Sequence, residues 1–248
     1  MKVATTIKEG EICERHKGGF REFIMTEIFK FTIEEDKKFN EFLKEDEFAE
    51  ALAIAWRYGS NRTDRFTIRN IRKEIPDRFQ RLLVRCGPVN FRGRHREDKK
   101  DFWEVGISLH HPFFKVMKEM GWTPIQQKNR IFPRGNFNER VFVATYIRLL
   151  HDLGTIEGKD KNRVYKRPRL RIHGSVDVLN NISRVLHIEL GVGVKKLQTD
   201  WKIPQAKTIY YQSKKEIPLI LEFAGAFETL EVFNDLRLGY VETNMVEV

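Results

Sequence analysis

Three short stretches place basic or polar side chains at every second position. In Arg65-Phe66-Thr67-Ile68-Arg69, the apolar Phe66 and Ile68 point one way while Arg65, Thr67 and Arg69 point the other, as a half-buried strand requires. Arg169-Leu170-Arg171-Ile172-His173 repeats the pattern, with Arg169, Arg171 and His173 on the polar side, and Arg92, Arg94 and Arg96 alternate in a third run. Guanidinium groups in a row on a sheet face suit a nucleic-acid groove, because a β-ribbon fits the major groove and Arg pairs with guanine edges. The same expectation takes in Arg62, Arg163 and Arg167 beside these strands, and Lys195 and Lys207 further along. An ordinary solvated sheet face is the simpler reading of any one strand.

Other chemistries find less support. The seven histidines include His110, His111 and His151 but form no His-x-x-x-His pair, and the two cysteines, Cys13 and Cys86, make no Cys-x-x-Cys. No zinc site or disulfide scaffold is expected. Ser175-x-Asp177 reads as a helix cap, and Gly191-Val192-Gly193 as a helix stop without the third glycine of a dinucleotide loop. The four tryptophans read as packing residues, Trp201 in its polar turn being the one to test for nucleic-acid contact.

The chain has 248 residues, 41% of them hydrophobic, enough for a sizeable core in one large domain or two fused halves. Its net charge is +10, carried unevenly: residues 1–55 hold nine Lys+Arg against 13 Asp+Glu, and residues 216–248 hold Arg237 against seven acids. The middle 160 residues therefore carry 35 bases against 15 acids. A surplus of that size attracts polyanions. Abundant Lys, Arg and Glu are also the composition of a heat-stable protein with surface ion-pair networks. No apolar run reaches spanning length and the first residues contain no apolar signal core, so the expected address is the cytoplasm.

The elements that must position the basic strands occur twice. A small-residue helix over FAEALAIAWRYGS ends at Gly59, whose expected role is a left-handed C-cap. A strand, an amphipathic helix (Ile75, Phe79, Leu82, Leu83), two strand-like runs and a helix from Pro112 to Met120 follow. From Phe142 the order recurs: a helix ending at Gly154, strands near Thr155 to Glu157 and Pro168 to His173, a helix from Asp177 to Leu190, two more strands and a final helix. The two glycines lie 95 residues apart, which predicts two copies of one unit. Residues 1–45 are expected to form an extension packed on the first unit (46–122), 123–140 a linker, 141–225 the second unit and 226–248 an acidic tail.

In this order and spacing the chain resembles the LAGLIDADG homing endonucleases. ALAIAWRYGS (Ala51 to Ser60) stands where the first motif would be, YIRLLHDLGT (Tyr146 to Thr155) where the second would be, and RPRLRIHGSVDVLNNISRVLHIELGV with KTIYYQSKKEIPLILEFAG follows the αββαββα unit closely. The resemblance covers roughly residues 48–225. It implies an α/β fold of two pseudo-symmetric units whose motif helices meet through Ala51, Ala55, Gly59, Ile147, Leu150 and Gly154, beneath a saddle of sheets that holds DNA. The family's nucleases end each motif in a carboxylate that binds Mg²⁺, but here those positions are Tyr58 and Leu153, which offer no hard oxygen ligand. The reading is thus a monomeric double-stranded DNA-binding protein without cofactor or metal and without nuclease activity, as a regulator or remnant. An RNA-binding maturase is the alternative, as is an endonuclease using Mg²⁺ with Asp152 or Glu157 as displaced acids. A basic domain docking an acidic protein stays open as a third class.

Overall fold

The computed structural model describes residues 30–62, 64–93, 100–124, 130–160, 163–199 and 207–241. The first helix among the described residues, α1 (Ile33–Phe42), is opened by a reciprocal cap: Thr32 Oγ1 accepts from Glu35 N while Glu35 Oε2 accepts from Thr32 N at 2.8 Å. It docks through buried Phe39, whose ring meets Phe31, Phe42 and His111.

The two units then have the same element order. The first is α2 (Asp46–Tyr58), β1 (Gly59–Arg62), β2 (Arg65–Asn70), α3 (Glu74–Leu82), β3 (Asn90–Arg92), β4 (Phe102–Ser108) and α4 (Pro112–Glu119). The second is α5 (Glu139–Leu149), β5 (Asp152–Asp160), β6 (Arg163–Gly174), α6 (Val176–Leu190), β7 (Gln198–Thr199), β8 (Lys207–Tyr211) and α7 (Glu216–Ala224). Each unit forms an antiparallel sheet of the same topology, β1-β2-β4-β3 and β5-β6-β8-β7. The chain has the predicted mixed α/β fold of two αββαββα units. The acidic C-terminal stretch is structured in part: α8 (Phe227–Asn234) packs on α7, and β9 (Gly239–Val241) pairs with β6.

Alternation accounts for the sheets. Phe66, Ile68, Leu170, Ile172, Ile209 and Tyr211 are fully buried on the inner faces, where α3 covers β2 and β4, and α6 covers β6 and β8. The motif helix α2 is buried at Phe48 and Ala49 and from Ala51 to Arg57, with Glu50 left partly exposed, as a helix enclosed on most sides must be. It packs along α5, with Trp56 edge-on to Phe142 at 6.1 Å.

The expected linker is partly core. Phe132 and Arg130 are buried, Trp56 Nε1 donates to Ile131 O at 2.8 Å, Ser175 Oγ donates to Arg130 O, and Asp177 accepts from Phe132 N at 2.7 Å. Ser175 and Asp177 thus fasten the connector to α6, and Ser175 makes no side-chain cap bond. Trp56 and Trp122 are buried, as expected of packing residues. Cys86 is largely buried, which pushes its thiol up to about 12, so it is an inert thiol. Among the described residues no helix is long and apolar enough to cross a membrane.

Candidate nucleic-acid interface

The outward faces carry the predicted basic side chains, but not as a uniform stripe. On the first sheet Arg65 lies 3.6 Å from Asp64, which sits in the turn between β1 and β2. Arg69 and Arg92 both meet Glu104, the residue across the ladder from Arg69. Arg69 also stacks over Phe102 at 5.1 Å. Thr67, expected at the polar face, is 1% exposed.

On the second sheet Arg171 and His173 share Asp152, at 3.2 and 2.9 Å, and His173 Nδ1 bonds Thr208 Oγ1 at 3.0 Å. Arg169 lies over Tyr210 and Arg167 over Tyr165, at 5.8 and 4.6 Å. Burial alone would raise the Asp152 carboxyl, yet the His173 hydrogen bond and the Arg171 charge hold it below the ordinary aspartate range.

Some predicted contacts lie elsewhere. Lys195 belongs to the helix side of the second sheet: its ammonium pairs with Glu216 at 2.8 Å and covers the ring of inward-facing Tyr211. Lys207 alternates with Ile209 and Tyr211 rather than with Thr208 and Tyr210, and donates to Thr199 Oγ1 at 2.7 Å. Arg62 and Arg163 are placed by backbone pairing, opposite Arg65 and Asp160. Arg94, Arg96 and Trp201 lie outside the described residues.

The ends of the motif helices differ from the sequence reading. Gly59 does end α2, but with φ −67° and ψ 133° it is extended, not left-handed. Glycine is needed there for closeness: a Cβ would land on the Ala55 carbonyl oxygen and within 2.5 Å of the Phe66 ring. The second helix stops at Leu149, and Gly154 lies inside β5 with nothing within 4 Å of a would-be Cβ. The ladders supply the true correspondence. Ile68 pairs with Gly59 and Val105, its counterpart Ile172 pairs with Ile209, and Asp152 faces Arg171 one step away. His151 is therefore the counterpart of Gly59, and Leu150 that of Tyr58.

Leu153, read as the second degenerate acid position, instead faces Leu170 across β5 and β6 and packs on the core. Leu150 is 44% exposed, unlike buried Ala51, Ala55 and Ile147. Asp152 is the first residue of β5, so strand alternation places it opposite in face to Leu153, not a helical step of about 100° away. Glu157 shares the alternation of Leu153 and pairs with Lys166 at 3.1 Å.

Two arginines that sequence reasoning missed seal these helix ends. Arg57, 7% exposed, donates to Leu150 O and, at 2.5 Å, to His173 O, with its guanidinium 4.2 Å over Tyr146. Tyr58 Oη and Arg72 donate to Leu149 O at 2.7 and 3.0 Å. Arg130, also 7% exposed, donates to Trp56 O at the end of α2, and burial pushes its guanidinium down to about 10, still protonated at neutral pH. A cation at a helix C-terminus satisfies orphan carbonyls and opposes the negative end of the dipole. The one signal in the sequence is a charge, Arg57, at the end of the apolar run Ala51 to Trp56.

Two repeated units, one sheet topology and two motif helices packed side by side define a class of tandem αββαββα proteins. No protein-family model matches the chain, and no curated protein matches it. Among solved structures, the LAGLIDADG homing endonuclease I-LtrWI bound to target DNA aligns with a TM-score of 0.50 at 11% identity, over 77% of this chain and 91% of that one. The homing endonuclease I-WcaI bound to its DNA recognition sequence aligns at 0.47 and 13% identity, over 82% and 92%. Full-length DUF199/WhiA from Thermatoga maritima gives 0.45 and 14%, over 77% of this chain and 59% of that one. The chain thus has the LAGLIDADG homing-endonuclease fold.

Proposed function

We propose that this protein binds double-stranded DNA across the outward faces of its two sheets and does not cleave it. The observation that carries the binding half is the pair of counterpart strands, β2 and β6, which present Arg65 and Arg69 on one unit and Arg167, Arg169 and Arg171 on the other, opposite a fully buried apolar face. Phosphate contacts by such side chains release counterions and make affinity fall steeply with salt. The neighbour I-LtrWI, bound to target DNA, supports the same partner.

The non-cleaving half rests on the helix ends. Divalent-metal hydrolysis needs anionic oxygen ligands at the scissile phosphate. At the ends of the motif helices, where the resemblance puts that chemistry, stand Tyr58, Leu150 and the buried cation Arg57, which supports the reading. Asp152, which follows the end of α5, is held by Arg171 and His173. The fold contains its own pseudo-symmetric partner, which supports a monomer as the acting species, and the helix ends support action without metal or other cofactor.

The test is selection from random duplex and folded-RNA pools, followed by salt titration and incubation of supercoiled plasmid with Mg²⁺ or Mn²⁺. Enrichment of duplex, affinity that falls steeply with salt and an intact plasmid are expected. Arg65→Ala and Arg169→Ala should each flatten the salt slope by about one phosphate contact while moving the thermal midpoint little. Enrichment of RNA alone would point to a maturase-like role, and salt-independent binding would end the electrostatic account. Metal-dependent cleavage abolished by Asp152→Ala or Glu157→Ala would make the protein an endonuclease with displaced acids.

A further inference from the structure

Among the described residues, each outward sheet face holds a carboxylate that meets two basic side chains, a feature the basic rows alone do not explain. On the first sheet Glu104 is 8% exposed and meets both Arg69 and Arg92. On the second, Asp152 meets both Arg171 and His173. The two clamps are built differently. Glu104 lies on β4, directly across from Arg69, and its counterpart on β8 is Thr208, directly across from His173. Asp152 comes from the other neighbour, β5, directly across from Arg171. A carboxylate held by two basic side chains is thus reached from opposite sides of the central strand.

A carboxylate on a surface that meets phosphate is electrostatically unfavourable for affinity. What it supplies is geometry: an arginine bonded to a fixed carboxylate loses rotamer freedom before it meets a ligand. A guanidinium has five donors, so a bond to one carboxylate leaves others for a base edge. Phe102 under Arg69 adds a second restraint. Arg65, on the same strand, lies 3.6 Å from an exposed turn carboxylate, Asp64, with side-chain exposures of 57% and 61%, a pairing that restrains little.

Taking duplex DNA as the ligand, as proposed above, we infer that Glu104 and Asp152 are positioning residues for sequence readout. They hold Arg69 and Arg171 for bidentate pairing with guanine, while the less restrained arginines contact phosphate. Specificity and affinity are therefore separable in this protein, and the two acids lower non-specific binding as they sharpen specific binding.

Duplex selection with the parent, E104Q and D152N, followed by measurement of specific and non-specific affinity at one salt concentration, tests this. Each substitution keeps the shape and removes the charge. The parent should enrich guanine beneath both halves. Each variant should lose the preference in its own half, with a roughly tenfold fall in the specific-to-non-specific ratio, the size of one bidentate contact, and non-specific affinity equal to the parent's or higher. Unchanged base preference in the variants overturns the proposal, as does a parallel fall in both affinities, which would mark a merely structural role. A parent site without guanine overturns it too. A parent that enriches no duplex overturns the DNA reading itself, and this proposal with it. Should E104Q fail to fold, Arg69→Lys, which keeps the charge without the fork, must show the same loss of guanine preference.

Discussion

Arg57 is the residue that ties the two units together at the ends of the motif helices. Its guanidinium spans the units, joining α2 to the Leu150 and His173 carbonyls across 93 and 116 positions of sequence. Hydrogen bonds from a charged donor contribute about 1.5–3 kcal/mol each. Arg57→Gln should cost about 2–4 kcal/mol on that scale, read as a thermal midpoint roughly 10 °C lower. Arg57→Lys should rescue little of it, because one ammonium cannot serve both carbonyls and the Tyr146 ring. A midpoint unchanged in both variants would show that the seal is not structural. Burial holds two histidines, His111 and His151, below the ordinary histidine range. Their folded values are depressed relative to the unfolded chain, so both favour the fold while neutral. Stability should therefore be flat above about pH 7 and fall as acid protonates the unfolded chain first. Calorimetry from pH 8 to 5 checks this. His111→Asn, which keeps an acceptor for the Phe113 amide that His111 Nδ1 now caps, should reduce the pH dependence while lowering stability overall.

At the scale of elements, the two helix-to-strand junctions separate the letters of a motif from its geometry. Gly59 and Gly154 look equivalent in sequence, yet one lies against a carbonyl and a phenyl ring while the other lies in an open strand. Gly59→Ala should therefore destabilise by about 2–4 kcal/mol, in the range of core overpacking or worse. Gly154→Ala should change stability by less than about 0.5 kcal/mol, as a surface substitution does. Urea denaturation of the two variants decides the matter, and equal losses would refute the register. The end of α5 carries a second consequence. Tyr58→Asp with Leu150→Asp sets carboxylates on counterpart positions, and their mutual repulsion should lower stability until Mg²⁺ or Ca²⁺ joins them. Tyr58→Asp with Leu153→Asp should instead bury a charge opposite Leu170 and gain nothing from metal. Thermal midpoints with and without the ion distinguish the pairs.

For the whole molecule, the +10 chain has its bases in the middle and acids at both ends, and the fold uses the acidic ends for packing. Glu35 of α1 receives Arg85, Glu50 receives Arg78 and Arg148, and Glu216 receives Lys195. Thr229 of α8 meets His151 at the end of α5, so the C-terminal stretch buttresses the junction between the units. Deletion from Phe227 onward should lower the thermal midpoint and expose the His151 ring, with little loss of duplex affinity, because Arg167, Arg169 and Arg171 are held by β5 and β8. A truncated chain that folds as firmly as the parent would deny α8 and β9 that role. Sedimentation at micromolar concentration should give one 29.5 kDa species for the free chain, and a complex of one chain per duplex when its site is added.

Local pattern determined much of this protein. Strict alternation around Phe66, Ile68, Leu170 and Ile172 made the strands and their buried faces legible, and the recurring element order revealed two units, because period and composition act over a few residues. The tertiary structure alone decided which polar-face charges stand apart and which are clamped, since Glu104 and Arg69 are 35 positions apart and are brought together by strand pairing. It also decided where the second motif helix ends. Helix length is settled by competition between the next helical bond and the β5–β6 ladder, and the ladder captures Asp152, Leu153 and Gly154. That three-residue difference moves Leu153 from the expected site into the core and leaves buried arginines, bonded to carbonyls far away in sequence, at the place where the resemblance led one to look for acids.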